Sequence, residues 1–180
     1  MSFPRQKIGT YAQRGKVLRV YFDTEFTNFP RPELISIGLV SDDGAHEFYA
    51  ERTDFTLSHC SDFVRWEVLP LLGRHSSRVV GSGKHISKAL YAWLDSLPCR
   101  EVELAADYKT DFELLDEMLF ERRQPQCAVR HLDCSLLSES PEFTDAYVRY
   151  FLDPVRLRHH ALHDAHALRQ AVRSAVPSHH

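Results

Sequence analysis

An α/β domain, with a mixed β-sheet flanked by helices, is the fold class this sequence predicts. Three observations support it. First, Asp43-Gly44 separates two strand-like runs, which is the strongest short hairpin signal a sequence carries. Second, the later half alternates strand-like runs with segments whose apolar residues recur at helical spacing. Third, the order is three strands, two helices, then strand, helix, strand, helix, helix, which suits a five-stranded sheet carrying helices on its faces.

The elements follow in chain order. "KVLRVYFDTEF" is rich in β-branched and aromatic residues and reads as a first strand. "ELISIGLVS" and "AHEFYAE" follow on either side of the Asp43-Gly44 turn, so strands one to three form an antiparallel meander. "SDFVRWEVLPLL" reads as a helix capped by Ser61 and ended near Pro70. In "SKALYAWLDSL" and the residues just before it, Ile86, Leu90, Trp93 and Leu97 fall on one helical face. "EVELAAD" is a fourth strand. "TDFELLDEMLFERR" is a helix with Thr110 and Glu113 in capping-box positions. "CAVRHLDC" is a fifth strand. Ser140-Pro141 opens the next helix as a favoured N-cap and N1 pair. The last helix covers roughly 160–176, with Ala161, Ala165, Leu168, Val172 and Ala175 on one stripe.

The chain has 180 residues, enough for one sizeable core, and 43% are apolar. There is no internal repeat and no Gly/Ser linker, so a single domain spanning 1–180 is expected. No apolar run is long enough to cross a bilayer, and "MSFPRQKIGT" lacks the stretch of a secretory signal, so a cytoplasmic protein is the expectation. A net charge of −3 argues against a broad electrostatic nucleic-acid binder, though not against a narrow site where metals meet phosphates. Cys60, Cys99, Cys127 and Cys134 form no C-x-x-C pair and read as buried thiols. "GSGK" at 81–84 lacks the pattern of a phosphate-binding P-loop.

The chemistry lies elsewhere. Asp23 and Glu25 sit two apart in the first strand, so their side chains project to one face about 7 Å apart. Two such carboxylates repel, and partial burial raises the cost. A hard divalent cation relieves both problems. Taken alone, the pair reads more simply as solvated acids at a strand end. Asp111 gives it company: it follows the fourth strand and lies in the first turn of a helix, where an acid also suits the helix dipole. Asp107, four residues earlier, is a rival. Asp164 falls beside the apolar stripe of the last helix and should face the sheet, which is unusual for an unpartnered acid. His159 lies five residues before it. His160, His163 and His166 read as ordinary exposed histidines, although His160 is one helical turn from Asp164 and competes with His159.

"FDTEF", "ADYKTDFELL" and "HHALHDA" together resemble the three exonuclease motifs of the DEDDh group, 3′→5′ exonucleases with a ribonuclease H-like fold. His159 to Asp164 matches that group's H-x-x-x-x-D spacing; the tyrosine subgroup would place a tyrosine where His160 stands. The likeness runs from about Val17 to Val176. It is nearest to a small bacterial and phage class of 3′→5′ exoribonucleases with a mycobacterial representative. One departure is that Thr110, rather than Phe, precedes Asp111, and Phe112 follows it.

The resemblance implies two-metal phosphodiester hydrolysis. Asp23, Glu25, Asp111 and Asp164 would hold two Mg²⁺ or Mn²⁺ ions roughly 3.5–4 Å apart. His159 would take a proton from the attacking water. The expected substrate is the 3′ end of single-stranded RNA, and the product a nucleoside 5′-monophosphate. A 3′→5′ DNA exonuclease is the first alternative and a non-catalytic nucleic-acid-binding module the second. Phe26 and Leu34 are candidates to meet the terminal base, with a core role as the plainer reading for Leu34. Trp66 suits either the core or the cleft border. Arg122, Arg123, Arg156 and Arg158 are candidates for backbone phosphates. The family likeness also implies a homodimer.

Overall fold

A computed structural model of the protein describes residues 17–120 and 127–176. The expected strands and the four main helices are present, together with one further strand. The first strand, β1 (Val17–Phe26), pairs antiparallel with β2 (Leu34–Ser41), which pairs antiparallel with β3 (Glu47–Arg52). The β2–β3 turn is the expected one: Gly44 has φ +72° and its N–H donates to the Ser41 carbonyl at 2.8 Å. Only a residue without Cβ adopts that left-handed conformation cheaply.

After β3 the chain differs from expectation. Ser61 does cap, its hydroxyl accepting from the Val64 N–H at 3.2 Å, but no α-helix follows. Val64–Val68 form a π-helical turn and Leu69–Leu71 a 3₁₀ turn. Pro70 has no N–H to donate and crowds the preceding turn, so a regular ladder cannot run through it. The chain then enters β4 (Val79–Gly81), an unexpected sixth strand that pairs parallel with β3. Three residues are too few to show a period, so "VVG" carried no strand signal.

The first helix, α1 (Gly83–Ser96), starts earlier than its periodic core suggests, because the Ser82 side chain caps it by accepting from the His85 N–H. It is followed by β5 (Glu101–Ala106) and α2 (Lys109–Phe120). The expected capping box is not formed. Because α2 begins at Lys109, Thr110 is buried inside the first turn, and Glu113 pairs with Lys109 at 2.9 Å. The chain ends in β6 (Ala128–Asp133), α3 (Pro141–Tyr150) and α4 (Ala161–Ala175). At α3 the Ser140 hydroxyl accepts from the Phe143 N–H, as the Ser-Pro pair predicts.

The result is one six-stranded mixed sheet in the order β4-β3-β2-β1-β5-β6, not the expected five strands. Since β5 is parallel to β1 and β6 to β5, the C-terminal ends of β1, β5 and β6 share one edge. β1 alternates strictly. Leu18, Val20 and Phe22 enter a large apolar cluster with Ile86, Leu90 and Leu94 of α1 and Leu114, Leu115 and Met118 of α2. Tyr21 faces the opposite layer, with Ala165, Leu168 and Val172 of α4 and Phe143 and Ala146 of α3. The odd-numbered face of β1 is therefore the α3–α4 side, and Asp23 and Glu25 continue it toward the C-terminal edge. No helix among the described residues is long and apolar enough to cross a membrane.

Candidate metal centre

Three elements of the fold deliver the four acids. Asp23 and Glu25 come from the last turn of alternation in β1, pointing to the α4 side. Asp164 comes from the first turn of α4. That helix reaches the sheet because of Gly38, which pairs with Asp23 across β1–β2. A Cβ at Gly38 would lie 2.3 Å from the Leu162 Cα and nitrogen and 2.5 Å from the Ala161 carbonyl carbon. Glycine here is a condition of contact: the backbone of α4 rests on bare backbone of β2. Asp111 comes from the first turn of α2, just past the end of β5.

Asp23, Glu25 and Asp164 converge. Each offers a carboxylate oxygen, and the three oxygens lie within 4.8 Å of one another. Asp23 and Glu25 are half-buried and Asp164 is buried. Asp164 uses one oxygen only. Its Oδ1 accepts from the Tyr147 hydroxyl at 2.9 Å, while its Oδ2 is buried with no hydrogen-bond partner. An unsatisfied buried carboxylate oxygen is costly and uncommon. Asp111 stands beside this trio rather than in it. It is only 2% exposed, and its Oδ1 accepts from the Thr24 hydroxyl at 2.5 Å. Thr24 faces the α2 side of β1, so Asp111 is anchored there while its charge reaches the others.

The electrostatics show how closely the acids are coupled. Burial pushes Asp23 well above the ordinary carboxyl range, and the charges of Asp111, Asp164, Glu25 and Asp107 push it further. Burial, then Asp164 and Asp111, do the same to Glu25. Asp111 is raised to about 7, chiefly by burial, with Asp107 and Asp164 adding to it and Thr24 opposing. Asp164 is also raised to about 7 by burial, against the opposing pull of Tyr147, Arg158 and the backbone amides of His159 and His160. Without a cation, each group binds a proton more readily than an ordinary carboxyl does. The rival Asp107 is half-buried and raised by burial, then by Asp133.

The histidines separate clearly. His159 is half-buried just before α4, at φ 65°, a backbone region histidine enters at some cost. Its ring meets Phe63 edge-on, centroids 4.9 Å apart. Burial and Arg158 hold its pKa below the usual value. His160 is in the interior, stacked on Tyr49 at 4.4 Å, and burial lowers it to about 4. The expected exposure does not hold for His160, because the α4 N-terminus is pressed onto the sheet at Gly38. His163 accepts from the Leu157 N–H at 2.7 Å, and His166 meets Glu47 at 2.8 Å, so neither is a free surface imidazole.

The candidate substrate residues divide in the same way. Phe26 is half-buried, edge-on to Phe29 at 5.4 Å. Leu34 is 3% exposed within the apolar cluster, the core placement that its plainer reading predicts. Trp66 is 77% exposed and so is not a core residue. Arg158 is exposed and near enough to Asp164 to lower its pKa, whereas Arg156 is held by Asp153 and lies over the Tyr150 ring. Arg122 and Arg123 lie outside the described residues. Cys60, Cys127 and Cys134 are buried thiols as expected, and Cys99 is half-buried.

Gly38, Thr24 and Tyr147 are structural partners of the centre that spacing did not reveal. Gly38 had a faint signal, a glycine inside a strand pattern. Thr24 and Tyr147 had none, since their partners lie 87 and 17 residues away. No family model matches the chain, and no curated protein matches it.

Proposed function

We propose that the chain is a metal-dependent 3′→5′ exoribonuclease of the DEDDh type, built on a ribonuclease H-like fold. What carries the reading is the convergence of Asp23, Glu25 and Asp164, with a buried Asp164 oxygen left without a partner. All donors are oxygens, the set preferred by Mg²⁺ and Mn²⁺. The mutual elevation of the carboxyl pKa values is the signature of a site completed by positive charge. The antiparallel meander followed by parallel strands supports the reading at the level of a mixed α/β sheet, with β4 as a strand beyond the five expected.

Asp23, Glu25 and Asp164 would hold the cations, with Asp111 joining from the α2 side. When bound, two divalent ions polarise the phosphodiester and acidify the attacking water. The protein's own residues do the rest. To hold the cations, the carboxyls would give up their protons. Burial and Arg158 lower the His159 pKa, which favours the neutral imidazole that would accept the water's proton. Phe63 meets that ring edge-on. As the water oxygen bonds to phosphorus, the bond from phosphorus to the 3′ oxygen of the penultimate nucleotide would break; that oxygen takes a proton from solvent to become a 3′ hydroxyl, freeing a nucleoside 5′-monophosphate.

The test is incubation with 3′-labelled and 5′-labelled single-stranded oligoribonucleotides, with and without Mn²⁺, beside matched DNA. Stepwise shortening of the 5′-labelled RNA, only with metal, is the expected result. Faster loss of DNA would move the substrate to deoxyribonucleic acid. No cleavage of either would remove the enzyme reading.

A further inference from the structure

We propose that Tyr147 is the positioning residue of the metal centre: its hydroxyl pins one oxygen of Asp164 so that the other is presented to the cation. This rests on reading the acidic cluster as a metal centre. An aspartate carboxyl turns about a soft terminal torsion, so helix placement alone does not decide where each oxygen points. Here the decision is made from α3. The Tyr147 hydroxyl donates to Asp164 Oδ1 at 2.9 Å, and Oδ2 is the buried oxygen without a partner.

The donor is itself well fixed. The Tyr147 ring lies between Phe143, near-parallel with centroids 6.1 Å apart, and Phe151 at 5.6 Å. The two helices are also tied by the Gln170 amide, which donates to the Ala146 carbonyl at 3.1 Å. A phenol that only satisfied a buried acid would be indifferent to metal. A phenol that aims a ligand is felt in metal affinity, where partners of ligating groups typically matter by about 10–100-fold.

The experiment is calorimetric titration of the full chain with MnCl₂, for the wild type, Tyr147→Phe and Phe143→Leu, with thermal melting of the metal-free proteins and kcat and KM on an oligoribonucleotide. Tyr147→Phe keeps the ring and should melt close to the wild type. It should nevertheless lose about tenfold or more in Mn²⁺ affinity and in kcat, with KM for RNA little changed. Phe143→Leu should melt lower and bind Mn²⁺ normally. A folded Tyr147→Phe that binds Mn²⁺ like the wild type overturns the proposal and leaves the metal centre standing. Equal loss of affinity in Phe143→Leu also overturns it, since packing would then be the cause. A wild type that takes up no Mn²⁺ overturns both readings. A check that needs no Tyr147 variant is the tyrosine ultraviolet band, which Mn²⁺ should perturb in the wild type and not in Asp164→Asn. An unperturbed wild-type band counts against the proposal.

Discussion

The two faces of the sheet are built on opposite terms. On the α1–α2 side, β1 contributes Leu18, Val20 and Phe22 to a cluster that includes Ile86, Leu90, Leu94 and Leu115, all but Leu18 essentially fully buried. On the α3–α4 side the same strand contributes Tyr21, then Asp23 and Glu25, against Asp164 and Tyr147. A single period-two strand serves both. The carbon face needs nothing further to be stable. The acid face brings like charges together out of water and is stable only with protons or cations present. The apolar layer thus offsets the unfavourable convergence of charge on the other face.

The sharpest way to break this comparison is to neutralise the acid face. Asp23→Asn or Asp164→Asn should reduce RNA hydrolysis roughly a thousandfold or more, the scale of several kcal/mol of lost metal stabilisation. The same change should raise the melting temperature of the metal-free protein, because a repelled buried carboxyl is gone. Activity assays and melting in EDTA read the two together; loss of activity through unfolding would contradict the assignment.

The next prediction sets one substitution from each face side by side. Leu90→Ala on the carbon face and Gly38→Ala on the acid face should each destabilise by about 3 kcal/mol, one through a cavity and the other through overpacking. Only Gly38→Ala should also abolish Mn²⁺ uptake, since its Cβ displaces the start of α4 and with it Asp164. Denaturant unfolding and calorimetry distinguish them, and normal Mn²⁺ binding by Gly38→Ala would show that the close approach is dispensable.

At His159 the effects are smaller. His159→Ala and His159→Gly should both slow turnover by about a hundredfold, the usual worth of a general base. At φ 65°, the glycine variant should be more stable than the alanine variant by about 1 kcal/mol. A dead His160→Ala with an active His159→Ala would reverse the assignment of the base.

The gentlest probe is pH. Asp111 and Asp164 each have a folded pKa of about 7, above their ordinary carboxyl value, so between about pH 4 and pH 7 the folded state binds more protons than the unfolded chain. Their contribution to stability is full below the unfolded pKa and is lost as pH rises through about 7. The metal-free wild type should therefore lose a few degrees of melting temperature across that window relative to Asp164→Asn. Saturating Mg²⁺ should remove the difference, and a flat difference in EDTA would contradict the coupling of the acids.

The sequence by itself determined the periodic elements and the residues bearing charge. The Asp43-Gly44 turn, the Ser140-Pro141 cap and the stripe of α4 are local physics, readable because each depends on residues a few positions apart. So are the same-face placement of Asp23 and Glu25 and the inward aim of Asp164. Contacts across space were set by packing between distant segments. "VVG" became a strand because β3 offered an open edge, and "VRWEVLPL" became two irregular turns around Pro70. The centre closed because Gly38 let a helix rest on the sheet, because Thr24 held Asp111 from the other face, and because Tyr147 left one oxygen of Asp164 unclaimed. Those contacts join positions far apart in the chain, and their geometry comes from packing, on which the spacing of residues within any one segment is silent.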